Sequence, residues 1–273
     1  MQLSPTAYTF TFAAAVCLVC SILVSTAAVG LRDVQERNRL LDRRQNVLAA
    51  AGLIEPGERP PANEVDAIFE DRIEEIAVDM VSGEDLPEIE AADYDPAAMR
   101  RDPEQHRAIS RNPAGVSRIP DYMIVYYVYD EDGVEDGEPE SLVLPIEGEG
   151  LWSTLYGYIA LEMDLQTVRG ITFYEHEETP GLGGEVDDPD WQANWEGREI
   201  YDEDWQPTLA VVQGEDVGPP EEEPHRVDGL SGATITARGV HNMIRFWMGD
   251  EGFGPLLERL REEEGVIDDA QAA

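Results

Sequence analysis

The sequence contains no lysine: all 19 of its basic residues are arginine, against 58 acidic residues and a formal net charge of -39 at pH 7. A surface this acidic would repel nucleic acid and acidic lipid, which excludes proteins that bind either through net charge. It would also strain a compact fold by self-repulsion unless salt screens it, and at molar salt the Debye length falls to about 3 Å. We therefore expect a saline setting. The acids are interspersed with apolar stretches, and 42% hydrophobic residues are enough for a core, which excludes a disordered acidic tail.

Cysteine is nearly absent. The two cysteines, Cys17 and Cys20, both lie in an apolar N-terminal stretch. No second pair exists to complete a tetrahedral metal site, so we interpret them as lipid-facing or helix-packing residues. The rest of the chain cannot hold a cysteine-ligated iron–sulfur cluster or a disulfide switch. Any electron transfer there would depend on an organic cofactor.

Charged side chains are absent before Arg32, and residues 8–31 form a mostly apolar stretch. As a helix this stretch would be about 36 Å long, enough to cross a hydrocarbon core of about 30 Å. A cleaved signal peptide is the alternative, because small residues at 25–27 follow the apolar run. The length of the run and the lack of basic residues before it favour an uncleaved membrane helix over 8–31, after a tail at 1–7.

Patterns for metal binding and hydrolysis are also missing. The four histidines show no metal-ligand spacing, and no Ser/His/Asp or paired-carboxylate arrangement stands out. The glycine cluster at 181–184 lacks the Gly-x-Gly-x-x-Gly spacing of a nucleotide-binding unit. We predict no catalytic residue and no metal site.

Segment 32–60 is predicted to be a helical stalk and linker, since it has apolar residues near helical spacing and prolines at its end. Residues 65–80 fit either a helix or a strand. Residues 82–120 are rich in Pro, Asp and Glu, and predict loop.

The rest of the chain predicts an α+β domain. Strand patterns occur at 122–129, 142–146, 154–163 and 168–175. The last two strands are expected to form a hairpin. Apolar residues at helical spacing over 240–248 predict a helix with one apolar face, and Pro255 begins a last short helix. We predict one soluble domain, residues 61–262, with a mainly antiparallel sheet flanked by helices, followed by an acidic tail at 263–273.

The tightest local pattern is Asp-Gly-Leu-Ser-Gly-Ala-Thr-Ile-Thr at 228–236. Gly232 and Ala233 leave room for a bulky group, and the N–H groups at the start of the helix that follows favour a phosphate. Thr234 is therefore a candidate attachment point for a bulky group that carries a phosphate. The alternative is that Thr234 is an ordinary helix N-cap, and local chemistry alone favours that alternative because Ser and Thr are common caps.

Residues 231–236 resemble the flavinylation motif of the FMN-binding subunits of ion-pumping respiratory complexes, in which a threonine carries FMN through a phosphoester. Gly-Leu-Trp-Ser at 150–153 and Glu-Thr-Pro-Gly-Leu-Gly-Gly-Glu at 178–185 resemble that family's other two signature blocks, in the same order. The resemblance is closer to the C subunit of the sodium-translocating NADH:quinone reductase than to the corresponding subunit of the Rnf ferredoxin:NAD complex, because 150–153 and 246–255 follow the pattern of the former. It is poorest over 55–121.

The resemblance implies FMN covalently bound through a phosphoester to Thr234. On this match, Thr179 and Leu182 would contact the isoalloxazine ring and Trp152 would stack on it. The full set of implied cofactor-binding residues is Thr234, Ser231, Gly232, Ala233, Trp152, Glu178, Thr179 and Leu182. Without the family, the loop at 178–186 would be taken as a tight turn.

The resemblance further implies a membrane-anchored electron-transfer subunit of the sodium-pumping NADH:ubiquinone reductase, which relays electrons between neighbouring subunits and is not catalytic alone. NADH would be oxidised and quinone reduced by other subunits of the complex. A separate flavin transferase would install FMN from FAD, because a threonine hydroxyl is a weak nucleophile. Two alternatives stay open: the FMN subunit of an Rnf-type ferredoxin:NAD oxidoreductase, and a non-redox, anchored acidic envelope domain.

The side of the membrane on which the soluble domain lies is a separate question. Arginines follow the span, and the positive-inside rule would keep that flank in the cytoplasm. The resemblance implies instead a single-pass protein of the inner (cell) membrane with its soluble domain on the periplasmic or outer side. We follow the resemblance because Asp33, Glu36 and Asp42 are mixed with the arginines and the whole domain is acidic.

Overall fold

The computed structural model describes residues 5–55, 57–91, 94–214 and 217–271. The chain divides into two compact units, Met1–Arg43 and Arg44–Ala273. Parts of the predicted tails at 1–7 and 263–273 lie outside the described residues, as does Pro56 of the predicted linker.

The first unit consists of most of one long helix, α1 (Pro5–Ala50). Its segment Tyr8–Arg32 has a mean hydropathy of 2.4 and is, by length and composition, able to cross a membrane. Both cysteines are exposed in this segment. These features fit the membrane helix predicted over 8–31.

The last turns of α1 belong to the second unit. Val47 and Leu48 are fully buried there, and the Thr172 hydroxyl donates to the carbonyl of Asn46 (3.2 Å). The second unit therefore begins inside the segment 32–60 that the sequence predicts as stalk and linker.

The second unit is built around an antiparallel sheet. Its strands, in chain order, are β1 (Ile73–Asp79), β2 (His106–Ala108), β3 (Arg118–Pro120), β4 (Tyr122–Tyr129), β5 (Pro139–Glu149), β6 (Thr154–Glu162), β7 (Val168–Glu175), β8 (Ala210–Val212) and β9 (Arg226–Asp228). The main sheet has the order β1-β4-β5-β6-β7, with every neighbouring pair antiparallel. The four strands predicted over 122–175 are confirmed, and β6 and β7 form the predicted hairpin.

Three short features differ from the sequence-based expectations. Residues 65–80 contain both a helix and a strand, which join at Arg72 and Ile73. Residues 82–120 contain a short helix and the β2–β3 hairpin, so the prediction of loop alone is wrong there. The parallel β8–β9 pair was not expected. Strands of three residues are too short to show an alternating pattern, which explains why β2, β3, β8 and β9 escape prediction.

The remaining helices are α2 (Ala62–Arg72), α3 (Pro96–Met99), α4 (Gly133–Asp136), α5 (Pro189–Gln192), α6 (Thr234–Trp247) and α7 (Gly254–Gln271). The predicted apolar face of α6 is confirmed by the burial of Val240, Met243, Ile244 and Trp247. α7 continues into the predicted acidic tail at 263–273 as far as Gln271.

α6 packs closely on β5. A Cβ atom at Gly239 would lie 2.3 Å from the carbonyl oxygen of Glu149, so only glycine permits this approach. Nearby, the indole N–H of Trp247 donates to the carbonyl of Glu147 (2.7 Å). Apolar side chains from β5, β6 and α6 form one buried cluster, whose removal from water stabilises the arrangement. The start of α6 is thereby fixed beside the end of β5.

Candidate functional site

Three loops meet at the start of α6: residues 150–153 after β5, residues 176–184 after β7, and residues 229–233. We call them the three site loops. The carboxylate of Glu178, whose residue is 5% exposed, connects two of them to α6. Its Oε1 accepts hydrogen bonds from the backbone N–H groups of Leu151 and Trp152 (both 2.9 Å), and its Oε2 accepts one from the Thr236 hydroxyl (2.6 Å). Hydrogen bonds to a charged carboxylate are stronger than those between neutral groups, so Glu178 holds the loop at 150–153 in place relative to α6. We call the Glu178 carboxylate and its three hydrogen bonds the brace.

Two glycines make room for this brace. A Cβ atom at Gly183 would lie 2.5 Å from both Glu178 Oε2 and Thr236 Oγ1, and one at Gly150 would lie 2.5 Å from Glu178 Oε1. Both distances are shorter than real contacts, so a side chain at either position would displace the carboxylate. The glycines of two sequence blocks that lie far apart in the chain therefore serve the same group.

A histidine holds the loop that contains Glu178. The N–H of Glu178 donates to Nδ1 of His176 (3.2 Å), and Nε2 of His176 lies 2.9 Å from Oδ2 of Asp187. Since Nδ1 accepts a hydrogen bond, the ring proton is on Nε2 and faces the aspartate. The imidazole thus connects the start of the loop to the 3-10 turn that follows it.

Thr234 is the first residue of α6 and is exposed. The N-cap position is Ala233, which provides no side-chain cap, so the alternative that Thr234 is the N-cap is wrong. The Thr234 hydroxyl instead donates to the side-chain carbonyl of Gln213 (2.9 Å). Gly232 has φ +73°, a backbone conformation that favours glycine, and a Cβ atom there would lie 3.1 Å from Cδ2 of Leu182. The motif and the loop at 176–184 are therefore in close proximity.

Exposed apolar side chains are concentrated in this region. Leu151 (46% exposed), Trp152 (67%), Leu182 (43%) and Ile235 (55%) all belong to the site loops or to the first turn of α6. In the described part of the chain from Arg44 onward, the other large hydrophobic residues that are exposed are Val81 and Tyr174. Uncovered apolar surface of this kind marks a place where a ligand or partner binds.

The structure brings the eight predicted cofactor-binding residues to one region, though not all face outward. Ser231, Gly232 and Thr179 are exposed with Thr234, whereas Ala233 is buried in the core. The Glu178 carboxylate is occupied by its three protein partners. The sequence did not single out Gln213 or Thr236: Thr236 lies inside the motif, but Gln213 carries no local signal because its contact with Thr234 is long-range.

Asp228, which precedes the motif, has structural partners. Its Oδ1 accepts from the N–H of Val217 (3.2 Å), and its carbonyl accepts from the indole N–H of Trp191 (2.8 Å). Within the described residues there is no cluster of His, Cys, Asp and Glu that could hold a metal ion.

Residues 150–249, which include the three site loops and α6, match the FMN-binding domain family. The class of protein defined by this fold and site is therefore a flavin-binding domain attached to an apolar helix.

Comparison with known proteins identifies the family. The chain is 44% identical over 248 residues to the C subunit of the Na(+)-translocating NADH-quinone reductase of Yersinia pestis, and the match covers 90% of both chains. It is 43% identical over 261 residues to the same subunit of Pseudomonas aeruginosa, with 95% of this chain and 97% of the relative covered. The chain belongs to the NqrC family, the C subunits of Na(+)-translocating NADH-quinone reductases. The resemblance noted in the sequence is thus confirmed, and neither the Rnf-type nor the non-redox alternative is favoured.

Solved structures agree with this assignment. The crystal structure of NqrC from Shewanella oneidensis superposes with a TM-score of 0.73 at 32% identity, covering 84% of this chain and 99% of that one. The corresponding crystal structure from Parabacteroides distasonis gives a TM-score of 0.62 at 26% identity, covering 83% and 96%. The predicted fold class, an N-terminal apolar helix followed by an antiparallel sheet flanked by helices, is confirmed.

Proposed function

We propose that this chain is the FMN-carrying electron-transfer subunit of a membrane-bound, sodium-translocating NADH:quinone reductase, with FMN esterified to Thr234. The observation that carries the proposal is exposed Thr234 at the first position of α6, where the site loops and the first turn of the helix present four uncovered apolar side chains. Family membership supports the cofactor, and the local geometry supports the position of the bond.

The residues present fit FMN. The start of α6 has no side-chain cap, so its first N–H groups are available for a phosphate on Thr234. Gly232 keeps the backbone open beside the threonine, while Trp152 and Leu182 present apolar surface that the ring would cover. Thr179 and Ser231 are exposed at the edge of the same region. FMN bound here would supply reversible acceptance of electrons.

Glu178 has an indirect role in this proposal. Its carboxylate faces inward and holds the backbone of Leu151 and Trp152 at a fixed position relative to the first turn of α6. The brace would orient the tryptophan that covers the ring. Covalent attachment at Thr234 would keep the cofactor in place during repeated electron transfer.

The chain would act only within a complex. Other subunits would oxidise NADH and reduce quinone, and this subunit would relay electrons between neighbours. A separate flavin transferase would move the FMN part of FAD to the Thr234 oxygen and release AMP. An enzyme is needed because, within the described residues, the hydroxyl donates to an amide oxygen, which cannot serve as a general base.

The membrane arrangement completes the proposal. Residues 8–31 would span the inner membrane, and residues 32–60 would leave it, with those from Arg44 onward already part of the second unit. The FMN-binding domain at 61–262 would lie on the periplasmic or outer side, ahead of the tail at 263–273. An Arg59→Cys variant places an exposed thiol in the linker, whereas Cys17 and Cys20 lie in the span. A membrane-impermeant maleimide should label this variant in intact cells; labelling only after cell lysis would place the domain on the cytoplasmic side.

The cofactor bond is tested on protein from its native membrane. Under denaturing conditions the band should fluoresce as a flavin, and trypsin, which cleaves after Arg226 and Arg238, should release residues 227–238 with the mass of an FMN phosphoester. Thr234→Ala should abolish both signals, while Ser110→Ala, which removes an exposed hydroxyl outside the three site loops, should retain them. An unmodified Thr234 in the native complex would overturn the proposal.

A further inference from the structure

The exposed face of α6 is basic although the protein is strongly acidic. Residues 229–249 contain no aspartate or glutamate, in a chain with 58. At 3.6 residues per turn, Thr234, Arg238, His241 and Arg245 fall within a sector of about 60° on the helix. We call Arg238, His241 and Arg245 the α6 basic stripe. Its far end lies about 16 Å from Thr234 at 1.5 Å per residue.

The charge of the stripe comes from its two arginines, which are exposed. In the part of the chain that the structure describes, neither of them pairs with a carboxylate, whereas Arg44, Arg72 and Arg259 all do. Burial, followed by the nearby Arg245, lowers the pKa of His241, so this residue is neutral at pH 7.

A second acid-free segment contacts α6 at Asn242, next to His241 of the stripe. Residues 105–120 also contain no aspartate or glutamate, and with 229–249 they are the two longest such segments after the membrane span. The side-chain amide of Asn242 donates to the carbonyl of Pro113 (3.1 Å), which places exposed Arg111 beside α6. Glu149 lies here too, against Gly115, so the region contains a carboxylate but is basic on balance.

This placement matters for an electron-transfer subunit. Two acidic proteins that approach each other repel, and complementary charge is needed to bring specific surfaces together. The stripe begins at Arg238, about one turn after Thr234, so a partner seated on it would lie beside a flavin at Thr234. The exposed Trp152 and Leu182 adjoin the same end and supply apolar contact area.

We propose that the α6 basic stripe is the docking surface for a carboxylate-bearing face of the neighbouring subunit that exchanges electrons with the flavin. The inference rests on the proposed function, because it takes Thr234 as the cofactor position. Arg238 and Arg245 would pair with carboxylates of the partner.

The test measures binding of the full-length subunit in detergent to the complex assembled without it. Changing both Arg238 and Arg245 to Glu should raise the dissociation constant roughly tenfold at low salt, because two attractive contacts become repulsive. The difference should shrink as salt rises from about 0.1 M to about 1 M, since the Debye length falls from about 10 Å to about 3 Å. The control is Arg59→Glu, which makes the same change in charge per residue at an exposed arginine outside the α6 basic stripe. Its dissociation constant should be within about twofold of the wild-type value.

Three outcomes would overturn the proposal. The double variant could bind like wild type. Alternatively, Arg59→Glu could weaken binding by as much, per charge changed, as the double variant does, which would indicate an effect of net charge alone. The double variant could also bind the complex normally yet lose affinity for phosphatidylglycerol vesicles, which would identify a lipid surface. The single variant Arg245→Gln separates docking from any contact with the flavin phosphate, because Arg245 lies too far along α6 to reach Thr234. Binding that weakens when Arg238 is changed, but not when Arg245 is changed, would contradict docking.

Failure of the proposed function is distinguishable. Each protein is checked for flavin fluorescence on the denatured band, and binding is measured without electron transfer. An unflavinylated wild type would contradict the cofactor assignment, whereas a fully flavinylated double variant with normal affinity would contradict the docking surface alone.

Discussion

The main sheet and the three site loops are held in place by different forces. In the sheet, alternate residues of β5 and β6 such as Leu144 and Ile159 are fully buried against α6, so stability comes from many apolar contacts. In the site loops Leu151, Trp152 and Leu182 are exposed, and the hydrogen bonds of the Glu178 carboxylate connect two of the three loops to α6. The scaffold is thus distributed over many residues, while the site depends on a few.

The largest expected effect on stability comes from the sheet. Leu144→Ala should lower the free energy of unfolding by about 2–5 kcal/mol, because it removes a fully buried side chain and leaves a cavity. The matched control is Leu151→Ala in a site loop, where the leucine is exposed and the loss should be about 0.5 kcal/mol or less. Denaturant unfolding of the full chain in detergent measures both. Equal losses would remove the distinction between the two regions.

Glu178→Ala should affect the site loops. It leaves three donors without their acceptor, at a cost of about 1–3 kcal/mol. We expect faster hydrogen exchange at the amides of Leu151 and Trp152 and a lower fraction of flavinylated Thr234, with the sheet amides unchanged. Glu177→Ala is the control, since Glu177 is exposed and adjacent. If sheet amides exchange faster as well, the brace supports the whole domain.

Salt should act on both regions together. With 58 acidic and 19 basic residues, self-repulsion should fall as ions screen the surface. We expect the free energy of unfolding to rise by about 1 kcal/mol between low and molar sodium chloride, which would raise the melting temperature by roughly 2–4 °C. The melting temperatures of wild type and Glu178→Ala should rise by the same amount, because salt screens the buried hydrogen bonds of Glu178 little. A melting temperature that is constant or falls with salt would contradict the expected saline setting.

Trp152→Ala should have the smallest effect on stability, about 0.5 kcal/mol or less, because the side chain is 67% exposed. The change should instead be seen in the flavin fluorescence: without the indole to cover the ring, iodide should quench the emission more strongly. Trp152→Phe retains an aromatic face and should restore protection. Unchanged quenching in the alanine variant would show that the ring does not lie on Trp152.

Strands and motif were predictable from the sequence to different degrees. β4 and β7 have the expected bounds because uninterrupted β-branched and aromatic residues end at turn residues. The motif predicts Thr234 as the attachment residue, and that stays a prediction. Whether Thr234 is an N-cap depended on a shift of one residue in the start of α6, which local patterns do not resolve. Glu178 could not be recognised as a brace among 58 acidic residues, since its burial results from packing of distant segments. Gln213 meets Thr234 only in the folded chain.

The hydrogen bond from Thr234 to Gln213 has a consequence for the order of events during maturation. If FMN is esterified to Thr234 as we propose, the hydroxyl hydrogen that donates this bond is lost, so the bond would exist only before modification. In the unmodified protein Gln213 limits rotation of the threonine side chain and so presents one orientation of its oxygen to an approaching enzyme. After such a modification the Gln213 side-chain carbonyl would need another donor, water included, while its Nε2 would still donate to the carbonyl of Leu230 (3.1 Å). The same glutamine would therefore report, through its side-chain amide signal in an NMR spectrum, which copies of the protein have matured.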